Sequence, residues 1–535
     1  MNPVPNPEQK VAIEYEGDAV ITARPGSGKT FALARMIKRE SKKLLSFQGL
    51  IAISYTNKAS SELRDRCERL GAKKSLSFYG TIDSFCLEEI VAPFRFHLVG
   101  KTDALRPTDD DDSPLWSQMK DLEPESDELK GLVLSALKTG ELPVSAIGLA
   151  ALVTLDEVKE SREYLAARYT SIFIDEYQDC GRAQHELLKR LAAMGLRAVV
   201  VGDLEQAIFQ FNKKSPLFLR ELMGSEQFEH FELTQNYRCD KSIVSYSLTL
   251  LDGKPRDIPR DMRRVFDVAI KGDEAAIAKA IRIRLPDIMD KYHIPDFKDI
   301  ALIGSSNKGL NRFANAIGIP FKLYSPTPLD KGFGKWRGLF IDLLELFYSP
   351  AKYPGDFCNR HLGFEAKDSF RNKVFNLVED YCSIDESSLY NNTDAAIEIA
   401  RLCAPECENA EDIQRYRKTV GELSTLRAGF RPAQPGEINL LTYHKAKGLE
   451  FDAVFCLDTY EFIMPPYKAE EEEYDALSQY FAMHYVGITR ARKVCYFPLG
   501  TKRHNAKDLE KDARPSPFLS RPNLKELRNS PNWID

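Results

Sequence analysis

The run VITARPGSGKTFALARMI, Val20 to Ile37, constrains the fold more than any other stretch of the chain. Apolar residues lead into a glycine-rich loop and then into a helical pattern, so a strand ends where a helix begins and backbone N–H groups converge at the junction. A strand is expected over 18–23, a helix over 30–41 and a second strand over 50–55, which is the start of a parallel α/β sheet. In the loop, Gly26 and Gly28 let amides close on phosphate oxygens, Lys29 meets the β and γ phosphates, and the Thr30 hydroxyl holds Mg²⁺. Ala23 stands where the strict form of this pattern has its first glycine. Residues Ala23, Arg24, Pro25, Gly26, Ser27, Gly28, Lys29 and Thr30 are therefore the expected triphosphate cradle.

A second apolar run, SIFIDEYQD, places Asp175 and Glu176 side by side at a strand end. Asp175 is suited to hold Mg²⁺ through water, and Glu176 to position and polarise an attacking water. Asp175 lies 146 positions after Lys29, far beyond the roughly 30 residues of one βαβ unit. An inserted helical subdomain between two halves of one sheet accounts for the gap. Helical, polar sequence over 88–168 fills it, with helix-like runs around 126–138 and 155–168. Strand patterns return at 171–176 and 197–203, and again at 299–306, 438–458 and after a helix in 484–497, with a helix-rich stretch over 331–430 between them.

The fold class expected is therefore α/β, two parallel-sheet units each interrupted by a mostly helical insertion. The expected boundaries are 1–87 with 169–245 for the first unit, 88–168 for its insertion, 246–330 with 431–535 for the second, and 331–430 for its reduced insertion. With 535 residues and 43% hydrophobic content the chain can bury several cores. No apolar run approaches the ~18 residues of a membrane span, and MNPVPNPEQK lacks a signal-peptide core, so a cytoplasmic protein without a membrane partner is expected. The ten scattered cysteines, including the lone CxxxC of Cys403 and Cys407, read as reduced thiols. Net charge is −5, so a polyanion must be met by a local groove rather than by a global basic field.

Nine segments in order carry a resemblance: NPEQ (6–9), ARPGSGKT, ISYTNKASSEL (53–63), GTIDSFC (80–86), IDEYQD, VGDLEQAIFQF (201–211), LTQNYR (233–238), LLTYHKAKGLEF (440–451) and YVGITRARK (485–493). Together they resemble the UvrD/Rep/PcrA branch of superfamily 1 helicases, whose two sheet domains are RecA-like. The resemblance implies ATP and Mg²⁺ in a cleft between the two units. It makes Gln9 the adenine reader, Gln206 the γ-phosphate sensor, Tyr237 the residue stacking on the base, and Arg238 and Arg490 the arginine fingers. Glu450 resembles the acid that meets the ribose, with Lys447 close by.

The same resemblance implies a track of single-stranded or tailed duplex DNA, travelled 3′ to 5′. Phe209 and Phe211 match stacking aromatics, as does Tyr55, while Thr56, Asn57, Lys58, Thr81, Thr442 and His444 are suited to phosphate and sugar contacts. Four departures stand out: Phe31 in place of arginine, Asp83 in place of histidine, Ser305 in place of arginine, and QYFAMHYVG without an acid and arginine pair. These departures and the short insertions resemble compact UvrD-like subunits of anti-phage nuclease and helicase pairs such as Gabija. They imply an alternative role, a DNA-responsive regulatory ATPase that controls a partner nuclease without processive unwinding.

Overall fold

Short apolar runs bounded by polar or glycine residues fold here as strands covered on both faces, which is why they lack hydrophobic alternation. A computed structural model describes residues 4–73, 76–100, 105–108, 110, 113–120, 122–123, 126–207, 216–331, 334–349, 353–362, 366–466, 474–505 and 507–533. Strands β1 (Ala19–Ala23), β2 (Gly49–Ile53), β3 (Phe78–Gly80), β4 (Tyr169–Ile174), β5 (Arg197–Gly202) and β6 (Glu229–Leu233) form one sheet in the order β3-β2-β4-β5-β1-β6. A second sheet takes β7 (Val265–Ile270), β8 (Ile300–Gly304), β9 (Phe321–Leu323), β10 (Ile438–Thr442), β11 (Phe451–Cys456) and β12 (Ala491–Gly500) in the order β9-β10-β8-β11-β12-β7. All neighbouring pairs in both sheets are parallel.

Residues 1–88, 158–323 and 434–535 make one compact unit that carries both sheets, and residues 89–157 and 324–433 make another. The second unit is mostly helical. Its core includes the fully buried Trp336, whose indole N–H donates to the Ala404 carbonyl at 2.8 Å, and Phe340 stacked on Tyr416 at 4.5 Å. It also holds a short parallel pair, Arg106–Thr108 with Glu141–Pro143, too brief for periodicity to signal. The helical pattern expected over 155–168 is two helices, Ile147–Glu157 and Lys159–Arg168, broken where Val158 turns extended. The later helix belongs to the sheet-bearing unit because it runs straight into β4 and buries Leu165. All ten cysteines are free, and no helix among the described residues is long and apolar enough to cross a membrane.

The segment QYFAMHYVG lies in the helix Tyr474–Thr489, and what it offers in place of charged residues is a buried imidazole. His484 is fully buried, stacked on Phe497 at 5.3 Å, with neither ring nitrogen hydrogen-bonded among the described residues. Burial, aided by the nearby Arg528 charge, pushes its pKa down to about 3. The unfolded chain takes up this proton below pH ~6.5, whereas the fold refuses it until about pH 3. Stability is therefore lost as pH falls through that window, by roughly 3 kcal/mol at pH 4. His484→Phe should flatten this acid limb in urea unfolding between pH 7 and 4.5, and an unchanged limb would show that His484 does not set it.

Candidate functional site

The carboxyl ends of β4, β5, β1 and β6 are consecutive along the first sheet, and the candidate nucleotide residues leave from them. β1 ends in Ala23, which pairs regularly with Leu233, so the strand needs no glycine at this position. Gly26 and Gly28 both take left-handed φ angles, 73° and 83°, and Gly28 caps the helix Lys29–Ser41. Neither tolerates a side chain: a Cβ on Gly26 would lie 2.6 Å from Arg238 Cβ, and one on Gly28 would lie 2.7 Å from Gln9 Nε2. Ser27 Oγ is buried without a hydrogen-bond partner, an orphan donor beside a helix N-terminus, which fits an anion bound at this loop.

β4 delivers Asp175 and Glu176. Thr30 Oγ1 donates to Asp175 Oδ2 at 3.3 Å, and Lys29 Nζ lies 3.0 Å from Glu176 Oε1. Glu176 sits at φ 56°, a left-handed conformation that costs a non-glycine residue about 1–3 kcal/mol and aims the carboxylate back toward Lys29. Burial and the neighbouring Glu176 charge push Asp175 up to about 6. Burial opposes ionisation of Glu176 as well, but Lys29 and Lys447 outweigh it and hold this carboxyl below the ordinary range. The pair is thus divided in character, Asp175 being pushed up and Glu176 held down.

β5 ends at Gly202, and Asp203 opens the turn Leu204–Gln206. Asp203 Oδ2 accepts from Gln206 Nε2 at 2.7 Å. From the second sheet, Arg490 precedes β12 and is held by the Val486 carbonyl at 3.1 Å, the Thr489 hydroxyl at 3.1 Å and the Leu449 carbonyl at 3.3 Å. Its Nη2 reaches Gln206 Oε1 at 3.1 Å. Burial and the charge of Arg238 lower the Arg490 pKa to about 10, which leaves it cationic at neutral pH. Lys447 pairs with Asp179, donates to the Gln206 carbonyl at 2.9 Å and stands 3.6 Å from Glu176 Oε2. Arg238 Nε meets Glu450 Oε2 at 2.6 Å, so an expected finger and the expected ribose acid face each other as an ion pair.

Gln9 is buried, its Nε2 donating to the Ser27 carbonyl at 2.9 Å while its helix is closed by a capping box with Asn6. Tyr237 is 57% exposed and accepts from Asn6 Nδ2 at 2.8 Å, open enough to receive a flat ring. Arg24 lies half-buried, 3.7 Å from Glu232, and Pro25 is anchored through its carbonyl. The residue providing that anchor, Asn236, was missed by sequence reasoning. Its Nδ2 donates to Pro25 O at 2.7 Å and its Oδ1 accepts from the Arg238 and Cys239 amides at 2.8 and 2.9 Å. Asp203 was missed too, although RAVVVGD repeats the pattern of an acid after an apolar strand that marked Asp175.

The candidate strand contacts leave from the carboxyl ends of β2 and β3, the other half of the same edge, and from that of β10 in the second sheet. Thr56 after β2 and Thr81 after β3 cap the helices Asn57–Arg69 and Ile82–Phe85, and Thr442 after β10 caps Tyr443–Ala446. Each hydroxyl accepts a backbone N–H, which fixes a helix N-terminus at a strand end. Half-buried Tyr55 and Thr81 line a cavity of about 190 Å³ together with Asp83, Asp175, Glu176 and Gln184. One cavity therefore borders both the carboxylates and the candidate strand contacts. His444 is half-buried in the short helix after Thr442. Phe209 and Phe211 lie outside the described residues, as do the side chains of Asn57 and Lys58.

The departures have local explanations. Phe31 is covered by the Arg35 guanidinium at 3.6 Å from its ring centroid, so the cation sits one turn further along the helix. Asp83 accepts from Gln184 Nε2 at 3.0 Å in the first turn of its helix, where a negative charge is favoured. Ser305 donates through its amide and its hydroxyl to Asp458 Oδ2, both at 2.8 Å, tying the ends of β8 and β11.

This layout is matched by two family models in the same order. The AAA domain matches residues 9–212, and the UvrD-like helicase C-terminal domain matches residues 366–499. The ATP-dependent DNA helicase PcrA of Bacillus subtilis (strain 168) is 23% identical over 619 aligned positions, taking in 92% of this chain and 82% of PcrA. The chain belongs to the UvrD/PcrA-like superfamily 1A helicases. Its two parallel sheets are the RecA-like pair of that family. A probable DNA helicase II homolog of Mycoplasma pneumoniae is 22% identical over 92% of this chain and 83% of its own. The Gabija protein GajB of Bacillus cereus (strain VD045) is 28% identical over 330 residues. That match takes in 60% of this chain and spans 63% of GajB, under two thirds of its length.

Proposed function

We propose that the chain is an ATP-driven motor on single-stranded DNA, moving 3′ to 5′ as the cleft between its two sheets closes on ATP and opens after hydrolysis. The observation that carries this reading is the contact of Arg490 with Gln206 at 3.1 Å. It sets a buried cation from the second sheet against the turn after β5 of the first, so charge arriving as a γ phosphate would be felt by both. In this reading Lys29 exchanges Glu176 for the β and γ phosphates, Arg238 leaves Glu450 for the phosphates, and Glu450 turns to the ribose. Tyr237 stacks on the base and Gln9 reads its edge. Thr30 and Asp175 would hold Mg²⁺, which supplies charge neutralisation at the phosphates. The division into 1–87 with 169–245, 88–168, 246–330 with 431–535, and 331–430 belongs to the same proposal.

The strand would run across the helix N-termini begun by Thr56, Thr81 and Thr442, with Tyr55, Phe209 and Phe211 stacking on bases. The cavity shared by Tyr55, Thr81 and the carboxylates supports a coupling of the two functions. Replacing Phe209 and Phe211 together by Ala should weaken strand affinity roughly tenfold or more and cut stimulation of ATP hydrolysis by single strands. Full affinity and full stimulation would remove both from the track.

A second reading is favoured by the charge at Asp83 and by the engagement of Ser305 with Asp458 at a position that the resemblance gives to arginine. It is a DNA-responsive ATPase that governs a protein partner such as a nuclease without unwinding by itself. Purified chain should hydrolyse ATP faster with single strands in either case. Displacement of a strand from a 3′-tailed duplex by the chain alone supports the motor that unwinds, whereas stimulation without displacement supports the regulatory reading. Turnover indifferent to single strands would contradict both.

A further inference from the structure

Glu176 is gripped from two sides. Lys29 holds Oε1, while the Gln178 carboxamide donates to Oε2 at 2.5 Å. The other end of that amide accepts the Asp203 N–H at 2.9 Å, where the turn carrying Gln206 begins. Gln178 is fully buried, and β5 reserves room for it: a Cβ on Gly202 would lie 2.9 Å from Gln178 Oε1 and 2.7 Å from Leu219 Cδ2. The glycine therefore serves a close approach at this point. One neutral side chain, buried in the first sheet, spans from the carboxylate after β4 to the backbone after β5.

We propose that Gln178 is a positioning residue that keeps the Glu176 carboxylate oriented for water once Lys29 has turned to the triphosphate. The inference rests on Glu176 as the group that positions and polarises water. With Oε1 freed, Oε2 stays fastened to Gln178, and Lys447 at 3.6 Å is the other cation near it. Through Asp203 the same amide fixes the distance between that carboxylate and the turn that bears Gln206. A shift of the turn on meeting a γ phosphate is thus felt by Glu176 through a single side chain.

A double-mutant cycle tests this. Gln178→Met keeps length and burial but removes both hydrogen bonds. It should lower kcat about 10–100-fold with the ATP dissociation constant within about threefold, because the loss falls on orientation rather than on binding. In a Glu176→Gln background the same change should cost less than about twofold, since residues that act as a unit are not additive. Gln178→Leu also removes both hydrogen bonds at similar volume, and it should show the same pattern if Gln178→Met does not fold. An equal loss in both backgrounds, or none in the natural chain, overturns the tie while leaving Glu176 in its role. Near-normal turnover by Glu176→Gln alone overturns the role of Glu176 and the tie with it.

Discussion

Glu176→Gln is expected to bind ATP within a few-fold of the natural affinity while hydrolysis falls about 10²–10⁴-fold, the range for loss of a positioned general base. The expectation follows from the environment of the side chain. Lys29 and Lys447 keep Glu176 ionised against a burial penalty, so a charged carboxylate stands ready to accept a hydrogen bond from water, and departure of Lys29 to the triphosphate would make it a stronger base. A glutamine fits the same space and still accepts from Lys29, but it cannot take a proton from water. Steady-state turnover set beside equilibrium binding of a fluorescent ATP analogue separates the two effects. Near-normal turnover would assign water activation to another group.

Arg490→Ala is expected to lower kcat about 10³–10⁵-fold, the worth of an arginine that meets the transferring phosphoryl group. The guanidinium is held in place by two carbonyls, a hydroxyl and Gln206 Oε1. It is only 2% exposed, and its loss also leaves buried acceptors unmet at roughly 1–3 kcal/mol, so thermal unfolding must accompany the kinetics. Arg490→Lys distinguishes charge from shape: it restores the cation but not the planar fork, and should recover only part of the rate. A variant that stays folded and hydrolyses ATP at the natural rate would remove Arg490 from the reacting phosphates.

The strand, loop and helix around GSGKT were legible because three local signals agree there: an apolar run, glycines at positions that need left-handed φ, and a helical pattern behind them. Asp175 and Glu176 were legible for the same reason, as acids at the end of a strand buried on both faces. Gln178, Asn236 and Asp203 were not picked out. Gln178 and Asn236 work through side-chain to backbone bonds with Asp203 and Pro25, far away in sequence, and no local period encodes such a bond, whereas Asp203 follows an apolar run whose signal was local. Partner exchange was equally out of reach: the grip of Arg238 on Glu450 joins residues whose roles the motifs assign separately, and that of Lys447 on Asp179 engages an acid to which they assign none.

The central claim is that one cleft couples ATP to a strand lying across the carboxyl ends of both sheets. Glu176→Gln, which should hold ATP without consuming it, offers the most direct measurement: the affinity for a single strand with and without ATP, and the affinity for ATP with and without the strand. The account predicts that each ligand changes the affinity for the other by the same factor, about fivefold or more, as linkage between coupled sites requires. Two affinities that are each indifferent to the other ligand would contradict it.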